Sequence, residues 1–182
     1  MNEIIIPRNT LVVLCGPAGC GKSTWAAGHF APTQIVSSDA CRALVSDDPV
    51  NQGATPHAFQ LLKFVIHKRL ELRRLTVADA TSLKRQDRKQ LLSIARRFNF
   101  LAALVVFDIP LDLCLRRNSG RDRVVPRHAI DSQYALLQAT LRTVDSEGFD
   151  SVYVLDEQTQ AAASVRISRA VSRRSRVPSR KV

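Results

Sequence analysis

Short uninterrupted apolar runs alternate along the chain with longer stretches whose apolar positions recur every three or four residues. The runs are LVVLC at 11–15, QIVS at 34–37, TVADA at 76–80, LAALVVF at 101–107 and SVYVL at 151–155. Brief, continuous and β-branched, they predict buried strands. The stretches between them predict helices. From His57 to Arg74, residues Ala58, Leu62, Ile66 and Leu70 fall at four-residue steps, and Leu91, Ala95 and Phe98 repeat the pattern in the next segment. Ile130, Tyr134, Leu137, Leu141 and Val144 mark a third helix, with Pro126 suited to its first turn and Gly148 beyond its end. The alternation implies an α/β fold of about five parallel strands with helices on both faces. Ligands in such sheets bind at the carboxyl ends of the strands.

A length of 182 residues fits one domain with a substantial core. Apolar residues at 45% and charged residues at 24% are ordinary for a soluble protein. The net charge of +11 is not ordinary, and suggests either a polyanionic partner such as nucleic acid or only solubility. Seven of the basic residues lie between Ser164 and Val182 with no acid among them. Residues 1–158 are therefore expected to form the domain and 159–182 a basic tail. The alanine-rich QAAASVRISRAV predicts one helix there and SRRSRVPSRKV a disordered end. As a whole, the tail reads equally as a nucleic-acid-binding arm or a solubilising end. The N-terminus lacks the pattern of a signal peptide, and no run approaches the ~20 apolar residues of a membrane span, so a cytoplasmic protein is expected. Cys15, Cys20, Cys41 and Cys114 form no CxxC pair, which predicts reduced, mostly buried thiols rather than a zinc site.

GPAGCGKST at 16–24 satisfies G-x-x-x-x-G-K-[ST], between a predicted strand and a helix-compatible STWAAGHF. Gly16, Pro17, Ala18, Gly19, Cys20 and Gly21 would fold tightly, so that backbone N–H groups and the helix end surround phosphates. Lys22 would reach the β- and γ-phosphates, the Ser23 hydroxyl would ligate Mg²⁺ or Mn²⁺, and Thr24 closes the motif. Binding of ATP or another nucleoside triphosphate is expected.

Asp39 follows the second strand, and Arg42 lies one turn later on the same helical face. A carboxylate there suits a base that accepts a hydroxyl proton, and a guanidinium suits bidentate grip of a phosphate. Equally, Ser38 or Asp39 is a helix cap and Arg42 an exposed ion-pair partner. Asp79, ending the third strand, is either a metal-assisting carboxylate or another cap. RRNSGRDRVVPRH at 116–128 gathers arginines around a flexible NSG and reads as a lid over the triphosphate or as a solvated basic loop.

In order and spacing, GPAGCGKST, SSDACRALVSDD, DATS and RNSGRDR resemble the kinase domain of bacterial and phage 5′-hydroxyl polynucleotide kinases, especially the end-healing, RNA-repair type, from about Leu11 to Leu155. The resemblance implies a P-loop kinase fold with an arginine-rich lid, moving the γ-phosphate of ATP to the 5′-OH of DNA or RNA. It implies Asp39 as general base, Arg42 on the acceptor's 3′-phosphate, and Arg117, Arg121 and Arg123 on the nucleotide phosphates. Ser82 stands where the family more often has Asn, and the lid is one residue shorter. Related enzymes often continue into phosphatase and ligase domains, so any such activities are expected from separate partners. Two other readings stand beside this one: a P-loop kinase of a small hydroxyl acceptor, and a nucleotide-dependent nucleic-acid-binding module.

Overall fold

The computed structural model describes residues 3–120, 124–172 and 179–181. Strands β1 (Glu3–Pro7) and β2 (Thr10–Cys15) lead through the glycine-rich loop into helix α1 (Lys22–His29). Next come β3 (Ile35–Ser37), α2 (Ser38–Ser46), α3 (Thr55–Glu71), β4 (Thr76–Asp79), α4 (Arg85–Arg97) and β5 (Leu101–Phe107). The chain continues as α5 (Leu111–Ser119), α6 (Arg127–Thr143), β6 (Ser151–Leu155), α7 (Glu157–Ala162), β7 (Ser164–Ser168) and β8 (Ser179–Lys181).

The five expected strands are β2 to β6, and all pair in parallel in the order β3-β4-β2-β5-β6 with β8 added at the edge. β2 and β5 are buried along their whole length, so alternate residues serve opposite faces. Leu11, Val13, Ala102, Leu104 and Val106 pack with Leu62, Ile66, Leu91 and Leu137 of the helices on one face. Val12, Leu14, Ala103, Val105 and Phe107 pack with Trp25, Ala26 and Cys114 on the other. β2 leads toward β4 and β5 toward β6, so connections leave these neighbours in opposite directions and open a crevice at their carboxyl ends.

Two expectations about the tail need correction. The alanine-rich segment is not one helix: α7 ends at Ala162, and Ser164–Ser168 pairs in parallel with Glu3–Pro7. Val165 and Ile167 are β-branched and alternate with polar residues, so they gain more along the edge of β1 than in a helical turn. Nor is the far end wholly without structure, since Ser179–Lys181 pairs with Ser151–Tyr153. A deletion from Ser164 onward would remove both strands and so cannot isolate a charge effect. No helix among the described residues is long and apolar enough to cross a membrane.

α7 is short but well capped. Asp156 accepts the Thr159 N–H at 2.7 Å, and the Thr159 hydroxyl lies 2.8 Å from the Asp156 N–H. The side-chain bond from Thr159, then its backbone bond, hold the Asp156 carboxyl below its ordinary range. Because the folded-state value is depressed, the cap contributes fully above the ordinary carboxylate pKa and fades as pH falls from there through the lower folded value. Asp156→Ala is expected to cost about 1 kcal/mol at neutral pH, with the deficit shrinking in acid, as read by urea unfolding at both pH values.

Candidate active site

The loop after β2 is shaped by close approach as much as by motif. Gly19 has φ 80° and Gly21 φ 92°; a Cβ on Gly19 would sit 2.2 Å from the Cys114 carbonyl oxygen, and one on Gly21 2.5 Å from Gln160 Nε2. Lys22, only 8% exposed, turns its ammonium back over the loop and donates to the carbonyls of Gly16 at 2.9 Å and Pro17 at 2.7 Å. The Gly16 N–H donates at 3.0 Å to the Thr81 carbonyl, tying the loop to the turn after β4.

A cleft of about 690 Å³ opens at this end of the sheet. Ala18, Lys22, Ser23, Asp39, Arg42 and Asp79 all line it. The register Ser37↔Asp79 sets the start of α2 beside the end of β4, which brings these acids to one edge. Ser37 caps α2, accepting from the Asp39 and Ala40 N–H groups at 3.2 and 3.4 Å, so the cap is neither Ser38 nor Asp39. The Asp39 carboxylate instead holds Arg42 Nη1 at 2.5 Å, with the acid side chain 49% exposed and the arginine 6%. Arg42 also donates to the Pro49 carbonyl at 3.0 Å, and its buried Nε has no acceptor among the described residues. It is therefore a buried cation, not the exposed ion-pair partner of the plainer expectation.

Ser23 and the buried Asp79 bring hydroxyl and carboxylate oxygens to the same cleft. These are hard donors and fit Mg²⁺ or Mn²⁺ better than soft metals. Among the described residues no cluster of three or more His, Cys, Asp or Glu could hold a metal. All four cysteines are buried free thiols, and burial pushes Cys15 and Cys114 up to about 12, so these two stay protonated and inert at neutral pH.

The lid arginines divide. Arg121 and Arg123 lie outside the described residues. Arg117 is not in the main cleft but in a neighbouring groove of about 500 Å³, with Gly21, Thr24 and Gln160. The expected flexible NSG is partly wrong, because Asn118 and Ser119 end α5. Asn118 is buried; its amide donates to the Val125 carbonyl at 2.9 Å and accepts the Val125 N–H at 3.0 Å, which clamps the end of α5 to Val125. Val124, Val125 and Pro126 beyond the clamp line the main cleft.

Three site-supporting residues had no signal in the sequence. Gln133 of α6 accepts the Ala18 N–H at 2.8 Å. Gln160 of α7 donates to the Cys20 carbonyl at 3.0 Å and receives Arg117 at 3.4 Å, so two helices more than 100 residues later in the chain hold the loop. Arg88 of α4 is buried and donates to the Ser82 and Leu83 carbonyls at 2.8 Å each, fixing the turn beside the loop. Ser82 sits at φ 44°, a left-handed conformation that asparagine adopts more readily than serine.

The AAA domain family matches residues 11–140, from β2 through most of α6. The chain belongs to that family. Solved structures agree with the fold of this AAA domain. One is a chain in the structure of the Pnkp1/Rnl/Hen1 RNA repair complex, with TM-score 0.64 and 21% identity over 75% of this chain and 46% of that one. The AAA domain thus spans less than half of that chain's length. Another is the Mycobacterium tuberculosis APS kinase CysC in complex with AMPPNP and APS, with TM-score 0.54 and 19% identity over 86% of this chain and 96% of that one. A sugar kinase from Janibacter sp. HTCC2649 has TM-score 0.57 and 21% identity over 82% of this chain and 86% of that one. No curated protein matches the sequence. The AAA domain here has a P-loop kinase-like fold.

Proposed function

We propose that this protein is an ATP-dependent phosphotransferase whose acceptor is the 5′-OH end of DNA or RNA. The observation that carries the reading is that Asp39 and Arg42 line the same cleft as Lys22, Ser23 and Asp79. A loop with a lysine and a helix N-terminus suits a triphosphate; a carboxylate and a buried guanidinium beside it suit an acceptor bearing both a hydroxyl and a phosphate. Ser23 and Asp79 would hold Mg²⁺, which when bound neutralises charge on the phosphates. Lys22 exchanges its carbonyl partners for phosphate oxygens. Asp39 accepts the proton of the 5′-OH and orients its oxygen toward the γ-phosphorus. Arg42 holds the acceptor's 3′-phosphate through the donors not spent on Asp39 and Pro49. Arg117, beside Thr24 and Gly21, contacts the donor nucleotide, and Arg121 and Arg123 serve the same role from the lid.

The net charge of +11 supports a polyanionic acceptor. Partner ligase and phosphatase proteins would complete end repair. A cleft of about 690 Å³ also suits a small phosphorylated hydroxyl compound beside a nucleotide, and that is the second reading.

Transfer from γ-labelled ATP with Mg²⁺ is to be measured on matched DNA and RNA oligonucleotides carrying a 5′-OH or a 5′-phosphate. Label is expected on 5′-OH ends alone. ATP bound with no label on any end would sink the polynucleotide reading and favour the small acceptor; no ATP binding would sink both.

A further inference from the structure

The two ends of the sheet carry different chemistry. The cleft lies at the carboxyl ends of the strands. β2 runs from Thr10 to Cys15, so the amino end is about 20 Å away at ~3.3 Å per residue. The turns there are rich in arginine: Arg8 before β2, Arg73 and Arg74 before β4, Arg97 before β5, and Arg169 after β7 are all exposed.

Hydrogen bonds join these turns into one surface. The Arg8 N–H donates to the Ser168 carbonyl at 3.1 Å, and the Asn9 side chain exchanges two bonds with the Val171 backbone at 2.9 and 3.1 Å. The Leu101 N–H donates to the Asn9 carbonyl at 2.9 Å. Arg73 Nη1 donates to the Phe98 carbonyl at 2.8 Å, linking the turns before β4 and β5. Arg69 lies close enough to feel the charge of Arg74, which together with the larger effect of burial lowers its pKa.

Nearby acids are mostly spent. Glu71 pairs with Lys68 at 2.8 Å, Glu147 is buried against Arg88, and Asp150 is buried and accepts the Ala102 N–H at 2.9 Å. Asp145 at this end is exposed. Among the described residues, none of the five arginines makes an ion pair with an acid.

We propose that this amino-end surface docks the phosphodiester backbone of nucleic acid, at a site separate from the cleft. Guanidinium groups match phosphate oxygens in pairs, and the turns present cations rather than aromatic anchors, which suits backbone contact instead of base reading. The two sites are about 20 Å apart, a span of about six base pairs at ~3.4 Å each. A tetranucleotide therefore occupies one site, whereas a longer duplex can use the arginine surface along its length.

The test uses the full chain carrying Arg8→Glu, Arg74→Glu and Arg97→Glu together, none of which makes a side-chain hydrogen bond in the described structure. The probe is a 5′-phosphorylated duplex of about 20 base pairs, measured by fluorescence anisotropy without ATP across a salt series, beside a 5′-phosphorylated tetranucleotide. Because neither probe has an acceptor hydroxyl, the outcome is independent of whether the cleft transfers phosphate. The variant is expected to bind the duplex at least about tenfold more weakly, and its log–log salt slope should be shallower by about three contacts. Tetranucleotide binding and ATP binding should not change. Unchanged duplex affinity in a variant with a normal unfolding midpoint would overturn the proposal. So would an equal loss for duplex and tetranucleotide, or a wild-type chain that does not bind the duplex.

Discussion

Arg88→Ala is expected to destabilise the protein by about 3–5 kcal/mol, the usual cost of leaving one member of a buried ion pair alone. The pair is bidentate: Arg88 Nε lies 2.7 Å from Glu147 Oε2 and Nη2 lies 2.5 Å from Oε1, with the side chains 1% and 4% exposed. Burial opposes the charge on Arg88, but the hydrogen bonds and charge of Glu147 outweigh it and raise the guanidinium pKa above its ordinary value. The third nitrogen holds the Ser82 and Leu83 carbonyls and reaches Thr140 Oγ1 at 3.3 Å. Alanine therefore strands a buried carboxylate and takes the stronger donor from two carbonyls, leaving Ser82 with Cys15 Sγ at 3.4 Å and Leu83 with Thr140 Oγ1 at 3.3 Å. Arg85 lies 4.0 Å from Glu147 but is 69% exposed, and so offers weak compensation. Against a typical total of roughly 5–15 kcal/mol, the loss is large. Urea unfolding of Arg88→Ala, Glu147→Ala and the double variant measures it. The double variant should lose clearly less than the sum of the two, because no lone charge remains. A single-variant loss under about 1 kcal/mol would mean that the buried pair does not form.

The same arginine shows where sequence reading stops. The five central strands were legible because burial on both faces leaves continuous apolar runs, and the loop between β2 and α1 because phosphate binding restricts residue types over a short stretch. β7 was missed although Val165 and Ile167 alternate correctly; the preceding alanines and the exposed side chains of this strand obscured a period of two. β1 escaped as well, since three isoleucines before a proline do not announce a partner more than 150 residues later. Of the residues that line the cleft, Asp39 and Asp79 stood out by following or ending a strand, and Arg42 by lying one turn beyond Asp39. Gln133, Gln160 and Arg88 did not, because their partners lie 115, 140 and 59 residues away and only the folded chain joins them. The NSG segment misled for a similar reason: asparagine and glycine favour turns, but Asn118 is committed to both backbone groups of Val125.

Asp39→Asn is expected to lower kcat for transfer by roughly 10²–10⁴, the usual contribution of a general base. The substitution keeps size and an oxygen that can still accept from Arg42, while Arg42 retains the Pro49 carbonyl at 3.0 Å. Folding should therefore survive, with a loss of at most about 1–3 kcal/mol from weakening a charged hydrogen bond. ATP binding should be nearly unchanged, because the loop contacts run through Lys22 and the backbone of residues 16–24 rather than through α2. Acceptor binding should change little, because Arg42 keeps its charge and place. A fall in kcat with both substrates still bound separates a proton-accepting role from one in which Asp39 only positions Arg42. For that second role, Arg42→Lys would be the more damaging change, since an ammonium cannot reproduce the planar fork that meets Asp39, Pro49 and a phosphate together. Steady-state rates on a 5′-OH oligonucleotide, with nucleotide affinity measured separately, decide the matter. If Asp39→Asn keeps kcat within tenfold of the parent while Arg42→Lys abolishes transfer, Asp39 is a positioning residue and the base lies elsewhere in the cleft, with Asp79 the remaining carboxylate among the described residues lining it.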